Sequence, residues 1–253
     1  MSRSKLVGMA DVTAAAAPSR RERLRARTLA DLRAAARRLL VEEGLHAVTL
    51  SAVAAEVGMS APALYRYVEN RDGLLELVAA SVAGDLATTL VEARRSAGDD
   101  PLAQTLTLCR TFRTWALAHR REFTLLFADT SHGIRPGTAP APASEALAWA
   151  FEEIVLRLWS ARRFGVPSDA DLAPELRGAL EPYRSRLTAS ARAAGIDIGQ
   201  IPLGATYALL HYWTRVYGLI SMEISGHLDH AVVDGEPLFE AVLADLVAQV
   251  SAG

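Results

Sequence analysis

The sequence predicts an all-α protein, with a small N-terminal domain on a larger helical body. Apolar residues recur at helical spacing along most of the 253 residues. Cap-type residues stand where several of these stripes begin. From residue 101 onward no convincing run alternates apolar with polar residues, as a half-buried strand would.

Composition sets the outer bounds. Residues AVILMFWYC make up 51% and DEKR 22%, with 17 Gly and 11 Pro, the balance of a globular chain. That excludes wholesale disorder, which needs fewer apolar residues and more net charge. Cys109 is the single cysteine, so a disulfide scaffold is excluded too. No stretch reaches the ~18 uncharged apolar residues of a membrane-spanning helix. The nearest, between Asp197 and Arg215, is broken by Gly199, Gln200, Pro202, Gly204 and His211. Ala14 to Ala17 runs into Pro18 and an arginine cluster, which is no signal core, so a cytoplasmic protein is expected.

The formal net charge of −2 is unevenly divided. Residues 1–70 hold 11 Lys and Arg against 7 Asp and Glu, and the remainder is net acidic. Residues 18–40 hold eight arginines (20, 21, 23, 25, 27, 33, 37 and 38) against Glu22 and Asp31. A basic end on an acidic body suits a polyanion at one end only, although a charge run alone also fits a solvated helix face.

The basic end reads as a series of helices. Leu29, Leu32, Ala36 and Leu39 form an amphipathic stripe over 28–43, which leaves Arg33, Arg37 and Arg38 outside it. Two starts fit: Thr28 with Asp31, or Ser19 with Glu22, each a cap residue with an acid three later. The first makes the arginine arm a flexible tail, the second a helical extension. Gly44 ends this helix. Thr49 caps the next, with Leu50, Val53, Ala54 and Val57 apolar, and Gly58 stops it. Ser60 caps a third, which tolerates Pro62 in its first turn and turns Leu64 and Val68 inward. Asn70 caps a longer helix with the stripe Leu74, Leu77, Val78, Val82, Leu86 and Leu90.

Two short helices joined by a glycine-containing turn make a helix-turn-helix, whose second helix enters a major groove N-terminal end first. Here that end carries Ser60, Ala61 and Ala63, small enough for close approach to base edges, with Tyr65, Arg66 and Tyr67 one turn on. Tyrosine hydroxyls, arginines and helix N-terminal N–H groups suit phosphate oxygens. On pattern alone, a plain helical hairpin with surface tyrosines fits equally well.

The run Thr49-Leu-Ser-Ala-Val-Ala-Ala-Glu-Val-Gly58-Met-Ser60-Ala-Pro-Ala-Leu-Tyr65-Arg-Tyr67-Val68, followed by Asn70-Arg71 and Leu74, resembles the DNA-binding domain of the tetracycline-repressor (TetR) family. The resemblance spans about 25–80 and departs from the commonest pattern at Met59, Val68 and Arg71, where Val, Phe and Lys are usual. It implies that Ser60 to Tyr67 is the recognition helix and that Arg71 meets a phosphate. With the arm, the expected DNA contacts are Arg25, Arg27, Thr49, Ser51, Ser60, Ala61, Pro62, Ala63, Tyr65, Arg66, Tyr67 and Arg71.

The body continues helical over Pro101–His119, Arg121–Ala128, Ser144–Phe164, Leu172–Ala194, Pro202–Ser225 and Glu236–Val250, with an exposed loop at 131–143. The domains expected are a disordered tail at 1–18, a helix-turn-helix domain at 19–80, and a helical effector-binding and dimerisation domain at 81–253. The helix holding Tyr207 to Glu223 is apolar nearly all round, so it lies centrally or at a subunit interface. Its Trp213-Thr-Arg-Val-Tyr217-Gly218 string resembles the Trp-x-x-x-His-Gly C-terminal domain of one TetR subgroup, with Tyr217 in the histidine's place. The family resemblance implies a homodimer through the helices near 202–225 and 236–252, a palindromic duplex operator, and a small hydrophobic effector.

Candidate effector contacts are Cys109, Phe112, Trp115, Phe127, Trp149, Tyr183, Tyr207 and His211, although each aromatic taken singly fits core packing as well. His227 and His230, near Glu223 and Asp229, approach metal-ligand spacing but read as loop decoration, so no metal or cofactor is expected. No phosphate-cradling Gly-rich loop, His-Glu-x-x-His or Gly-x-Ser-x-Gly occurs, so no enzyme is expected. The function these features favour is a sequence-specific DNA-binding regulator, most simply a repressor released by its effector, without membrane partners. Two rivals stay open: a ligand-binding or enzymatic body with an accessory N-terminal domain, and a regulator controlled by a protein partner.

Overall fold

Ser19, not Thr28, starts the first helix. Its hydroxyl accepts from the Glu22 N–H at 3.2 Å, and the Glu22 carboxylate accepts from the Ser19 N–H at 2.6 Å, a reciprocal capping box. Thr28 lies inside the helix and donates its hydroxyl to the Leu24 carbonyl. The arginine arm is therefore a helical extension. The bonds from Ser19 hold the Glu22 carboxyl below its ordinary value. The cap is thus present above the ordinary carboxylate pKa and is lost as pH falls through the lowered one. Ser19→Ala at neutral pH is expected to speed hydrogen exchange at the Glu22 amide, whose N–H donates to the Ser19 hydroxyl, and to leave the body unchanged.

The computed structural model describes residues 19–128 and 142–251. Those residues form helices and their connections, with no strand among them. In order these are α1 (Arg20–Glu42), α2 (Leu50–Glu56), α3 (Ala61–Leu64), α4 (Arg71–Ser96), α5 (Pro101–Ala118), α6 (Arg120–Phe123), α7 (Pro142–Arg162), α8 (Pro174–Ala193), α9 (Leu203–Ile224) and α10 (Glu236–Ser251). A π-helical turn, Thr124–Ala128, continues α6. The expected tail at 1–18 and most of the loop at 131–143 lie outside the described residues.

The face α1 buries is Leu32, Ala35, Ala36 and Leu40, while Leu29 and Leu39 flank it half-buried. Thr49 caps α2 by accepting from Ala52 N–H at 3.1 Å, and Gly58 takes a φ of 70° at the turn that follows. Ser60 precedes α3 without the expected side-chain cap bond. One α-turn is all that α3 makes. The bonds from Arg66 N–H to Ala63 O and from Tyr67 N–H to Leu64 O then tighten it into i→i+3 turns. Asn70 caps α4 by accepting from Gly73 N–H at 2.8 Å.

The boundary expected at residue 80 falls inside α4, which runs unbroken from the short helices into the body. By length and composition α4 is apolar enough to cross a membrane, which the sequence reading missed because Glu76 and Asp85 interrupt it. It is a core helix instead: Leu74, Leu75, Val78, Val82, Leu86 and Leu90 are buried, and α1, α5 and α7 pack around it.

At the far end, α8 starts at Pro174 rather than Leu172, after a 3₁₀ turn at Asp169–Asp171. The start of α9 presses on this connection. A Cβ on Gly204 would collide with the Pro167 carbonyl, and the Gly204 N–H donates to Asp169 Oδ1 at 3.0 Å.

Candidate nucleic-acid interface

The segment from Thr49 to Tyr67 presents small and polar side chains outward over a dry underside. Ser51, Ser60, Pro62, Tyr65 and Arg66 are exposed, with Tyr65 at 56% of its full accessibility. Ala61 and Ala63 are half-buried between them. Beneath lie Val53, Ala54, Leu64 and Val68. Tyr67 is half-buried and packs on that core, so its ring is as much structural as exposed.

The arm is attached to this segment. Arg25 donates to the Arg66 carbonyl at 3.3 Å, and its guanidinium lies 5.6 Å from the centroid of the Tyr67 ring. Arg20, Arg21, Arg27 and Arg33 are exposed along the same helix. This joins two features that were separate in the sequence, the arginine run and the recognition segment.

Three arginines expected to be available for a partner are engaged within the fold. Arg37 and Arg38 are committed to carboxylates: Arg38 is exposed as expected but paired, and Arg37 is half-buried. Arg38 reaches Glu56 at 2.6 Å and ties α1 to the end of α2. Arg37 pairs with Asp85 on α4 and, at 2.5 Å, with Glu122 on α6, whose side chain is only 2% exposed. Arg71, expected at a phosphate, is half-buried and spends two donors on backbone: Nε to Val48 O at 2.8 Å and Nη2 to Leu45 O at 2.6 Å.

Glu122 and Asp85 are residues sequence reasoning missed. Their partner is distant in sequence, and an acid beside Arg120 and Arg121 reads as an ordinary surface charge. Arg121 adds a further tie, donating to Val41 O at 2.6 Å. Together these contacts bind the end of α1 to α6.

The expected effector contacts divide among three clusters, with Cys109, Phe112, Trp115 and Phe127 in the first. Phe112 is fully buried, with the rings of Phe123, Phe127, Phe151 and Trp213 at centroid distances of 6.0, 5.5, 5.1 and 5.8 Å. Phe112 and Phe127 thus lie in one ring cluster rather than along either of two open clefts. Cys109 packs at the edge of that cluster, and burial pushes its thiol pKa up to about 12, so it stays protonated. Trp115 stacks on His119. Trp149 and Tyr183 belong to a second cluster beside Trp159, and Tyr207 to a third with Leu176 and Leu210. His211 is exposed and stacks on Tyr207. Of the eight, only Trp115 lines either of two open clefts, one of about 410 Å³ walled by Thr107, Thr111 and Thr114. The other, about 580 Å³, is lined by Arg94, Arg95, Gln104, Arg157 and Ser160. Among the described residues no group of three His, Cys, Asp or Glu could hold a metal. Glu223 is instead paired with Arg113 at 2.7 Å.

This arrangement is that of a helix-turn-helix regulator, and comparison with known proteins agrees. Residues 32–78 match the family described as bacterial regulatory proteins, tetR family, and residues 105–246 match the tetracyclin repressor-like C-terminal domain. The chain belongs to the TetR family of DNA-binding transcriptional regulators, which are not enzymes. It is 27% identical over 220 residues to the HTH-type transcriptional regulator Rv1816 of Mycobacterium tuberculosis, covering 84% of this chain and 87% of that one. The HTH-type transcriptional regulator Mb1846 of Mycobacterium bovis matches to the same extent, 27% over 220 residues. Among solved structures, the regulatory protein SCO4313 superposes with a TM-score of 0.63 at 26% identity, over 91% of this chain and all of that one. A Rhodococcus sp. RHA1 protein of unknown function shares the fold at a TM-score of 0.53 and 22% identity, covering 86% and 94% of the two chains.

Proposed function

We propose that this regulator acts as a homodimeric repressor that reads a palindromic operator and is released by a small hydrophobic effector. The observation that carries the DNA-reading part is the exposed face of Ser60, Pro62, Tyr65 and Arg66 beside the arginine helix that Arg25 clips to it. Ser51, Ala61, Ala63 and Arg66 lie nearest the bases, while Arg25, Arg27, Tyr65 and Tyr67 meet phosphates. The N-terminal N–H groups of α2, behind Thr49, add to the phosphate contacts.

A single recognition segment reads few bases, so two half-sites call for a two-fold dimer. The surface that supports it is the outer side of α9 and α10. His211, Thr214 and Met222 are exposed on one helix, and Leu238, Ala241, Ala244 and Ala248 on the other. Arg215 to Asp245 at 2.6 Å fixes the two helices against each other.

Release works through α6. Phe123 and Phe127 pack into the aromatic cluster around Phe112, while Glu122 and Arg121 grip α1. An apolar effector that parts these rings therefore displaces the helix that holds the DNA-reading end. It does so only to the extent that it binds the displaced state more tightly. Trp213, Tyr217 and Gly218 support placement in the Trp-x-x-x-His-Gly subgroup. In the histidine's place, the Tyr217 hydroxyl donates to Phe127 O at 3.0 Å, which links α9 to the π-turn.

The test is Gly218→Arg. Gly218 faces open space within the protomer, so the substitution is compatible with the fold and blocks only the pairing face. Sedimentation is expected to give a monomer, with affinity for a duplex selected from a random pool down by about a hundredfold or more. A variant that stays dimeric with full affinity would move the pairing surface off α9.

A further inference from the structure

We infer that Arg71 is a positioning residue: it sets the entry of α2 beneath the DNA instead of touching a phosphate. This rests on the DNA-binding reading above, and three observations carry it.

Arg71 is the first residue of α4, where a cation opposes the positive end of the helix dipole. A long cationic side chain at such a place is expected to reach outward, to water or an anion. This one turns inward and lies half-buried. Its guanidinium spans two carbonyls three residues apart, Leu45 O through Nη2 at 2.6 Å and Val48 O through Nε at 2.8 Å.

Those two carbonyls bracket the sharpest part of the connection between α1 and α2. The chain leaves α1 through Gly44 at a φ of 100°, makes one 3₁₀ turn over Leu45–Ala47, and buries Val48 completely. The next residue, Thr49, caps α2, and Ser51 is exposed within its first turn. The Leu45 carbonyl also accepts from the Val48 N–H at 3.3 Å, so the arginine closes a turn whose own bond is long. A fork of fixed N–H donors reaches both carbonyls at once, while a lysine offers one ammonium point. The arginine therefore locks the α2 entry to the start of α4.

A brace and a phosphate contact differ in what they do to DNA binding. A phosphate contact adds to binding of every duplex and steepens the salt dependence, by about 0.9 in the log–log slope per contact. A brace places Thr49 and Ser51, so its loss weakens the selected duplex and spares a scrambled one.

The experiment compares Arg71→Lys and Arg71→Met in the full chain. The probes are a duplex selected by the native protein from a random pool and a scrambled duplex of the same composition. Hydrogen exchange is measured without DNA. Arg71→Lys is expected to bind the selected duplex about tenfold more weakly, the scrambled one as before, with the salt slope unchanged. Amides of Val48, Thr49 and Ala52 exchange faster in both variants. The inference is overturned if Arg71→Lys matches the native protein in exchange and affinity while Arg71→Met loses both duplexes and about 0.9 of slope per contact. If Arg71→Met does not fold, Arg71→Lys alone decides. If no duplex is ever selected, the DNA-reading assignment fails separately, and unchanged exchange at 48–52 overturns the brace by itself.

Discussion

Alanine at both Tyr65 and Arg66 is expected to lower affinity for the selected duplex by about a thousandfold and leave the fold intact. Both side chains are exposed, and the bonds the pair makes within the fold use backbone atoms, which alanine keeps. A side-chain contact to phosphate or base contributes roughly 1 kcal/mol or more. Two such contacts counted in both subunits of the proposed dimer sum to about 4 kcal/mol, or near three decades. Titration with fluorescent duplex and sedimentation of the free protein measure the two halves of this statement. Native-level binding by the double variant would take the recognition face away from α3.

The second large effect lies in the body. Arg113 on α5 meets Glu223 on α9 through two bonds, 2.9 and 2.7 Å, with their side chains only 11% and 14% exposed. The same guanidinium lies 5.3 Å from the centroid of the Phe239 ring on α10, so one side chain joins three helices. Arg113→Ala leaves a carboxylate with little water and no partner, which costs about 3–5 kcal/mol. That is a large share of the ~5–15 kcal/mol by which domains are stable. Replacing both partners, Arg113→Met with Glu223→Leu, is expected to recover most of the loss, since no unpaired charge remains. Urea unfolding of the native chain and the two variants checks the order. Equal stability of Arg113→Ala and the native protein would make this pair a surface ornament.

Much of this architecture was legible in the residues, because helix starts and stops are local chemistry. Thr49, Asn70 and Gly58 do what their types predict, and the apolar stripe of α4 marks the core. The choice between Ser19 and Thr28 was not local. Both had an acid three residues on, and the Ser19 start gains from Arg25 reaching Arg66, forty-one residues away. Separation in sequence likewise hid the partners of Arg37 and Arg38, which lie 48, 85 and 18 residues away and left both looking like free surface charge.

The effector site was the least legible part. A row of aromatics reads the same whether it lines a cavity or fills one, and here Phe112 sits among four rings. Arg71 shows a further limit. The family pattern suggested a role for a basic residue at that place, while the geometry of a guanidinium, with donors that reach two carbonyls, sets a different one in this chain.

In the proposed dimer, two copies of the Ser60–Tyr67 segment, one per subunit, read a duplex together. The measurement that bears on it most directly is selection of random duplex DNA by the purified native protein at low and moderate salt. The expected result is an enriched palindrome whose half-sites lie about one helical turn apart, roughly 34–36 Å, retained at the higher salt. Binding that shows no sequence preference and fades uniformly as salt rises would contradict it, leaving only the arginine helix attracted to any polyanion.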